Sequence, residues 1–173
     1  DEFVVLYVAN TTVLKGLGDL LDAWERLNLD DARLVICGTM DDTVERTHRD
    51  QLQSLDSVER VGYVDDPREY YQKASMLVHP SITESFGKVI LEAMASALPV
   101  VITEHGPRQF ADDAGFVVPI RDPGALADRI QYLYEHPDEA EQMGKQGRDI
   151  AENATWEAFG DRIADAHADI LER

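Results

Sequence analysis

The sequence is short of positive charge. Four lysines and twelve arginines face thirty-four acidic residues, for a formal net charge of −18. A surface of that sign repels nucleic acid and anionic membrane, so neither is expected as a partner. Cysteine is scarcer still. The single Cys37 lies in the apolar run Leu34-Val35-Ile36-Cys37 and reads as a buried strand residue. A disulfide framework is thereby excluded, which favours a reducing compartment. No stretch approaches the roughly 18 consecutive apolar residues of a membrane-spanning helix. No initiator methionine precedes Asp1, and the apolar residues 3–8 follow almost at once, as expected of a piece of a longer protein. A cytoplasmic location is expected, with any peripheral attachment to the inner membrane face belonging to that longer protein.

What is present suits one domain. The chain has 173 residues, 44% of them hydrophobic, enough to bury a core. The acidic residues divide into twenty Asp and fourteen Glu. With arginine favoured over lysine, this composition resembles that of proteins from salt-loving archaea, where molar salt screens self-repulsion. The doublets Asp30-Asp31, Asp41-Asp42, Asp65-Asp66 and Asp112-Asp113 read as solvated loop surface. No metal is implied.

Short apolar runs alternate with amphipathic stretches. Strands are expected at residues 3–8, 33–37, 58–61, 76–79, 99–102 and 115–118. Most are continuous rather than alternating, as in strands buried on both faces. Leu17, Leu20, Leu21, Trp24 and Leu27 recur at helical spacing, and further helices are expected at 67–74 and 87–97, the last stopped before Pro99. Residues 122–135, 137–153 and 155–171 read as three successive helices without an intervening strand. The pattern predicts an α/β fold: a doubly wound, Rossmann-like parallel sheet of about six strands, helices on both faces, and a helical C-terminal extension. Ligands of such sheets bind at the carboxyl ends of the strands, near helix N-termini.

One of those strand ends carries chemistry. After residues 76–79 the chain reads Pro80-Ser81-Ile82-Thr83-Glu84-Ser85-Phe86-Gly87-Lys88-Val89-Ile90-Leu91-Glu92-Ala93-Met94-Ala95. Ser85 is a natural N-cap, and Gly87 allows close backbone approach. Backbone N–H groups at Ser85, Phe86 and Gly87, with the helix dipole, would form an anion site suited to a diphosphate. Glu92 would then lie about two turns into the helix, where its carboxylate can accept both hydrogen bonds of a ribose diol. Glu84, in the loop, can hold sugar hydroxyls. On spacing alone an ordinary reading stands equally: Glu84 a capping residue, Glu92 paired with a surface cation. His79, at a strand end, and His105, beside Gly106, are candidates to line the crevice. His48, His136 and His167 fall on polar helical faces and read as solvated.

The stretch resembles the signature of family-4 retaining glycosyltransferases, in which a Glu-x7-Glu motif sits in a larger frame. Pro80-Ser81, Glu84, Phe86-Gly87, Glu92-Ala93-Met94-Ala95 and Pro99-Val100-Val101 match that frame in register. The likeness extends over essentially the whole chain. Lys15-Gly16 resembles the end of the family's opening loop. Leu34-Val35-Ile36-Cys37-Gly38 resembles its second strand, and Val61-Gly62-Tyr63-Val64 the segment bordering the nucleotide base. His105-Gly106 falls at its glycine-rich loop, and Gly115 to Pro119 at the element that follows. The resemblance implies the C-terminal, nucleotide-sugar-binding domain of a two-domain GT-B enzyme, spanning residues 1–173. The N-terminal domain, which meets a glycan, lipid or small-molecule acceptor, is not in this chain.

By resemblance, Lys15 contacts the donor diphosphate and Glu84 orients the transferred sugar. Ser85, Phe86, Gly87, Lys88, Gly106 and Arg108 surround the donor, Glu92 holds the ribose, and Gly62 and Tyr63 border the base. The donor is a nucleoside-diphosphate sugar, and no further cofactor and no metal are implied. This sequence departs from the family at three places. Asn10 stands where an arginine is usual, so Arg108 or Lys88 is expected to supply the lost charge. Pro107-Arg108-Gln109 replaces a second glycine and a glutamate. Ala97 replaces a glycine, read as a minor packing change. Three other readings remain open at this point: a GT-B-like nucleotide-sugar epimerase, a non-catalytic nucleotide-sugar-binding module, and an unrelated doubly wound binding domain. The fragment alone is not expected to catalyse transfer, because a second domain must close over the donor.

Overall fold

A computed structural model describes residues 2–108, 111 and 113–154. Six strands form one parallel sheet: β1 (Phe3–Val8), β2 (Ala32–Cys37), β3 (Val58–Gly62), β4 (Met76–His79), β5 (Val100–Thr103) and β6 (Gly115–Val118). Their spatial order is β3-β2-β1-β4-β5-β6, and every pairing is parallel. Seven α-helices accompany them among the described residues: α1 (Leu17–Trp24), α2 (Asp42–Thr47), α3 (Arg49–Ser54), α4 (Arg68–Lys73), α5 (Lys88–Ala95), α6 (Pro123–Glu135) and α7 (Pro137–Asn153). The expected helix at 155–171, with His167, lies outside the described residues, as do Gln109 and Asp112.

The strands read as continuous apolar runs because both sheet faces are covered. Val5, Tyr7, Leu34, Ile36, Met76 and Val78 point to one side and pack with α1, α2, α3 and α6. Leu6, Val35, Leu77, Val100 and Ile102 point to the other and pack with α4, α5 and α7. Each fully buried aliphatic side chain contributes about 1.5–3 kcal/mol relative to exposure. Helix α1 buries Leu17, Leu20, Leu21 and Trp24 at i, i+3, i+4 and i+7, the stripe of a helix lying on a sheet. The Trp24 indole N–H reaches Ser57 Oγ at 2.9 Å, tying the end of that helix to the start of β3.

The strand order reverses between β1 and β4. The helices that follow those two strands, α1 and α5, pack on opposite faces of the sheet, the arrangement in which a ligand crevice is expected at the strands' carboxyl ends. Most sequence expectations are met, with three corrections. Asp42 opens α2 rather than lying in loop, and Asp41 caps that helix, its carboxylate accepting from the Val44 N–H at 2.8 Å, while both stay exposed. His48 and His136 are half-buried at helix junctions rather than solvated. The His48 ring bonds Gln51 at 2.8 Å, and the His136 ring stacks on Tyr132 at 4.2 Å between centroids. Ala97 is more than a packing change, since it adopts a left-handed backbone with φ 58°.

Candidate functional site

The loops at the carboxyl end of the sheet are bonded to one another. Ile82 N–H donates to the Leu14 carbonyl at 2.8 Å, joining the β1 and β4 loops, and Ser81 Oγ lies 3.1 Å from the same carbonyl and 2.7 Å from that of Thr83. Thr103 Oγ1 donates to the Ser81 carbonyl, and the His105 ring bonds the Ile82 carbonyl at 3.1 Å, joining the β5 loop to them. At Gly16, φ is 69° and the Pro80 carbonyl oxygen lies 2.0 Å from where a Cβ would stand. Only glycine lets the β1 loop lie so close to the β4 loop. This approach sets Lys15, the residue before it, against the β4 loop.

Lys15 and Glu84 meet there. Lys15 Nζ stands 2.7 Å from Glu84 Oε2. His79 Nε2 reaches the same oxygen at 2.9 Å, and Ser85 N–H donates to Oε1 at 3.1 Å. Glu84 is 13% exposed and His79 2%. The His79 hydrogen bond, with Lys15 adding a bond and a charge, holds the Glu84 carboxyl well below the usual carboxylate range against the opposing effect of burial. Tyr7 OH donates to the Lys15 carbonyl at 3.2 Å, bracing the lysine's backbone from within the sheet.

The helix that follows opens differently from expectation. Its N-cap is Gly87, with φ 71°, and no side chain caps it. Ser85 lies two residues too early and is exposed in the loop. The left-handed turn at Gly87 decides the start, and a serine there would be strained. Glu92 consequently sits a little over one turn into α5 rather than two. The end of α5 left without a side-chain cap keeps first-turn N–H groups for an outside acceptor, and the helix dipole favours an anion there. Pro107 closes over this end, 2.8 Å from the place a Gly87 Cβ would take. Gly106 and Arg108 flank that proline. Phe86 is exposed beside it. The Arg108 side chain is exposed and makes no ion pair among the described residues.

Glu92 is held from below. Tyr71, buried on α4, donates its hydroxyl to Glu92 Oε2 at 3.0 Å. Burial, then the Glu92 charge, pushes the Tyr71 phenol far above its ordinary value, so it stays a donor. Lys88 Nζ lies 2.9 Å from Glu92 Oε1, but the lysine is 81% exposed, and a pair so solvated contributes little. The ordinary surface pairing is thus present at Glu92, with the buried tyrosine fixing the direction of its carboxylate.

Gly62 and Tyr63 stand apart from this cluster. They line a hollow of about 550 Å³ with Gly38, Thr39, Met40, Glu45 and Arg60, at the carboxyl ends of β2 and β3. The Tyr63 ring is 69% exposed. Asn10, between hollow and crevice, accepts a hydrogen bond from Thr39 Oγ1 at 3.1 Å. Sequence reasoning missed Tyr71 and the bond from His79 to Glu84. A histidine closing a four-residue apolar strand was the one available signal for His79. Tyr71 carried none, since its partner is twenty-one residues away.

Comparison with known proteins agrees with this architecture. A model of the family "Glycosyl transferases group 1" matches residues 2–136. A putative glycosyltransferase, EpsD, of Bacillus subtilis is 31% identical over 159 residues, covering 87% of this chain and 41% of that protein. A D-inositol 3-phosphate glycosyltransferase of Corynebacterium diphtheriae is 32% identical, covering 96% and 42%. Among solved structures, a sucrose-phosphate synthase from Thermosynechococcus elongatus superposes with a TM-score of 0.83 at 31% identity, over 99% of this chain and 46% of that one. Anabaena HepE in complex with UDP-glucose has the same fold, with a TM-score of 0.87 at 21% identity, over 98% and 49%. The chain spans less than half the length of these relatives. With a family pattern that runs from residue 2 to residue 136 on a Rossmann-like sheet of the GT-B type, this chain belongs to the glycosyl transferases group 1 family.

Proposed function

We propose that this chain is the C-terminal, donor-binding domain of a two-domain glycosyltransferase. The whole protein transfers a sugar from a nucleoside-diphosphate donor to an acceptor hydroxyl, with retention at the anomeric carbon and without a metal ion. The observation that carries this reading is the crevice at the sheet's switch point, where the ion pair of Lys15 and Glu84 borders the uncapped start of α5. Transfer breaks the bond from the anomeric carbon to the diphosphate and forms one to the acceptor oxygen. Charge develops on the leaving diphosphate, where helix dipole, backbone N–H groups and cations stabilise it.

In this reading the diphosphate lies against Ser85, Phe86 and Gly87, with Lys15, Gly106 and Arg108 around it. Glu92 takes the ribose diol, and the base enters the hollow bordered by Gly62 and Tyr63. Lys88 already lies beside Glu92, whereas Arg108 is exposed with no ion pair among the described residues, which makes Arg108 the better replacement for the arginine missing at Asn10. Glu84 suits a positioning group. Its Oε2 already accepts from Lys15 and His79, and its Oε1 from Ser85 N–H, which makes it a poor nucleophile. The acceptor, whether glycan, lipid or small molecule, belongs to the other half. So does any membrane attachment, because a net charge of −18 is repelled by anionic lipid. The same acidity supports a salt-loving archaeal source.

The test is the full-length protein supplied with UDP-, ADP- and GDP-sugars in high salt and in the presence of a chelator. Transfer with the donor's anomeric configuration preserved supports the reading; inversion, or epimerised free sugar, contradicts it. Arg108→Ala is expected to weaken donor binding by about 10-fold, the worth of one charged hydrogen bond. Asn10 gives a second reading its one support: a module that binds nucleotide sugar without turning it over. Saturable binding with no product from any acceptor fraction would favour that module.

A further inference from the structure

The buried imidazole of His79 is more completely enclosed than any other group bonded to Glu84. It closes β4, the strand that leads into the Glu84 loop, and 2% of its side chain is exposed. Its Nε2 lies 2.9 Å from Glu84 Oε2, and its Nδ1 is buried with no partner among the described residues. These facts select a protonation form. A charged ring would bury an N–H with nothing to accept it, and a proton on Nδ1 alone would do the same while facing Nε2's lone pair toward a carboxylate oxygen. The neutral ring with its proton on Nε2 leaves only a lone pair unmet, the cheapest of the three forms.

We infer that His79 is a positioning residue for sugar transfer: as a neutral Nε2–H donor it fixes Glu84 in its ionised state and in one orientation toward the donor sugar. This rests on the function proposed above. Lys15 shares the same oxygen but is half-exposed and stands on a surface turn, so it is the movable partner. The division is useful. When a diphosphate enters and draws the lysine toward itself, Glu84 keeps its charge and direction through His79. None of the other charged or titratable groups on the surrounding loops bonds Glu84 among the described residues. His105 bonds the Ile82 carbonyl, Tyr7 bonds the Lys15 carbonyl, and Lys88 pairs with Glu92. Arg108, on the β5 loop, makes no ion pair with Glu84.

Three variants of the full-length protein test this. His79→Phe keeps the volume and removes the donor; its kcat/KM for transfer is expected to fall about 100-fold, as for a reactive group displaced from its working geometry. Binding of UDP, ADP or GDP without a sugar is expected to stay at the wild-type level, because Glu84 faces the sugar. The acid limb of the rate profile is expected to move to higher pH, as Glu84 loses a donor that favours its charged form. His79→Gln, with an amide donor near the same position, is expected to restore rate and acid limb together; packing alone would not distinguish Gln from Phe in that direction. His79→Phe with the wild-type acid limb, or Gln no better than Phe in folded proteins, overturns the inference. Carbon-13 titration of the Glu84 carboxyl in the wild type and in His79→Asn reads the same coupling without turnover. An upward shift in the variant supports the role, and an unchanged titration overturns it. If the wild type transfers no sugar from any donor, the proposed function falls while this titration still decides His79.

Discussion

Ala97 closes α5 in a conformation that costs it energy. The helix ends in a Schellman arrangement, with Leu98 N–H bonded to the Ala93 carbonyl at 3.0 Å and Ala97 N–H to the Met94 carbonyl at 2.8 Å. That closure needs a left-handed residue, and Ala97 supplies it at φ 58°. A Cβ in this region costs about 1–2 kcal/mol. Ala97→Gly is therefore expected to stabilise the protein, by about 0.5–1 kcal/mol once the greater freedom of glycine in the unfolded chain is subtracted. Urea unfolding would show this as a higher midpoint at an unchanged slope; an unchanged or lower midpoint contradicts it. The residues of the site obey the same logic. His79 and Tyr71 bond the two carboxylates of the motif from buried positions, which fixes the direction of Glu84 and Glu92.

Among the elements, the connection that matters most is the interlock of the β1 and β4 loops. Gly16 has no room for a side chain against Pro80, and its φ of 69° is unfavourable for any other residue. Gly16→Ala is expected to cost about 2–5 kcal/mol, strain and overpacking together. It would also separate Lys15 from Glu84, so donor affinity in the full-length protein should fall with stability; an alanine variant with wild-type unfolding would refute the interlock. The six strands were legible in the sequence because burial on both faces leaves continuous apolar runs. Helix α1 was legible because its buried leucines fall at helical spacing. Helices α2 and α3 were not, since each buries a single residue, Val44 or Leu52, and offers no period; α4 is as short and buries only Tyr71 but follows the start signal Asp65-Asp66-Pro67. The helix start at residue 87 was legible to within one residue, but its cap was misassigned, because Ser85 is the better capping residue by type while the backbone turns at Gly87. The Glu-x7-Glu frame was plain along the chain. Its supports from β4 and α4 were hidden, because nothing in linear spacing brings Tyr71 to Glu92.

At the scale of the whole molecule, charge dominates. The visible ion pairs do little to offset a net −18. Lys73 with Glu69, Lys145 with Glu141 and Arg148 with Glu152 are exposed pairs one helical turn apart, where solvent screens most of the attraction. Most acids repel one another at low ionic strength. Raising KCl from about 0.1 M to about 2 M should shorten the screening length from about 10 Å to under 3 Å and raise Tm by about 5 °C or more. A Tm that falls or stays level would remove the argument for adaptation to salt. In the proposed reading the same acidity would confine an anion to the crevice beside Lys15 and the start of α5. The most direct measurement of that claim is a crystal structure of the full-length protein with a bound nucleotide sugar. The diphosphate is predicted within hydrogen-bonding distance of backbone N–H groups between Ser85 and Lys88, the ribose hydroxyls on Glu92, and the sugar beside Glu84. A nucleotide bound elsewhere, or one whose ribose leaves Glu92 untouched, would contradict the account.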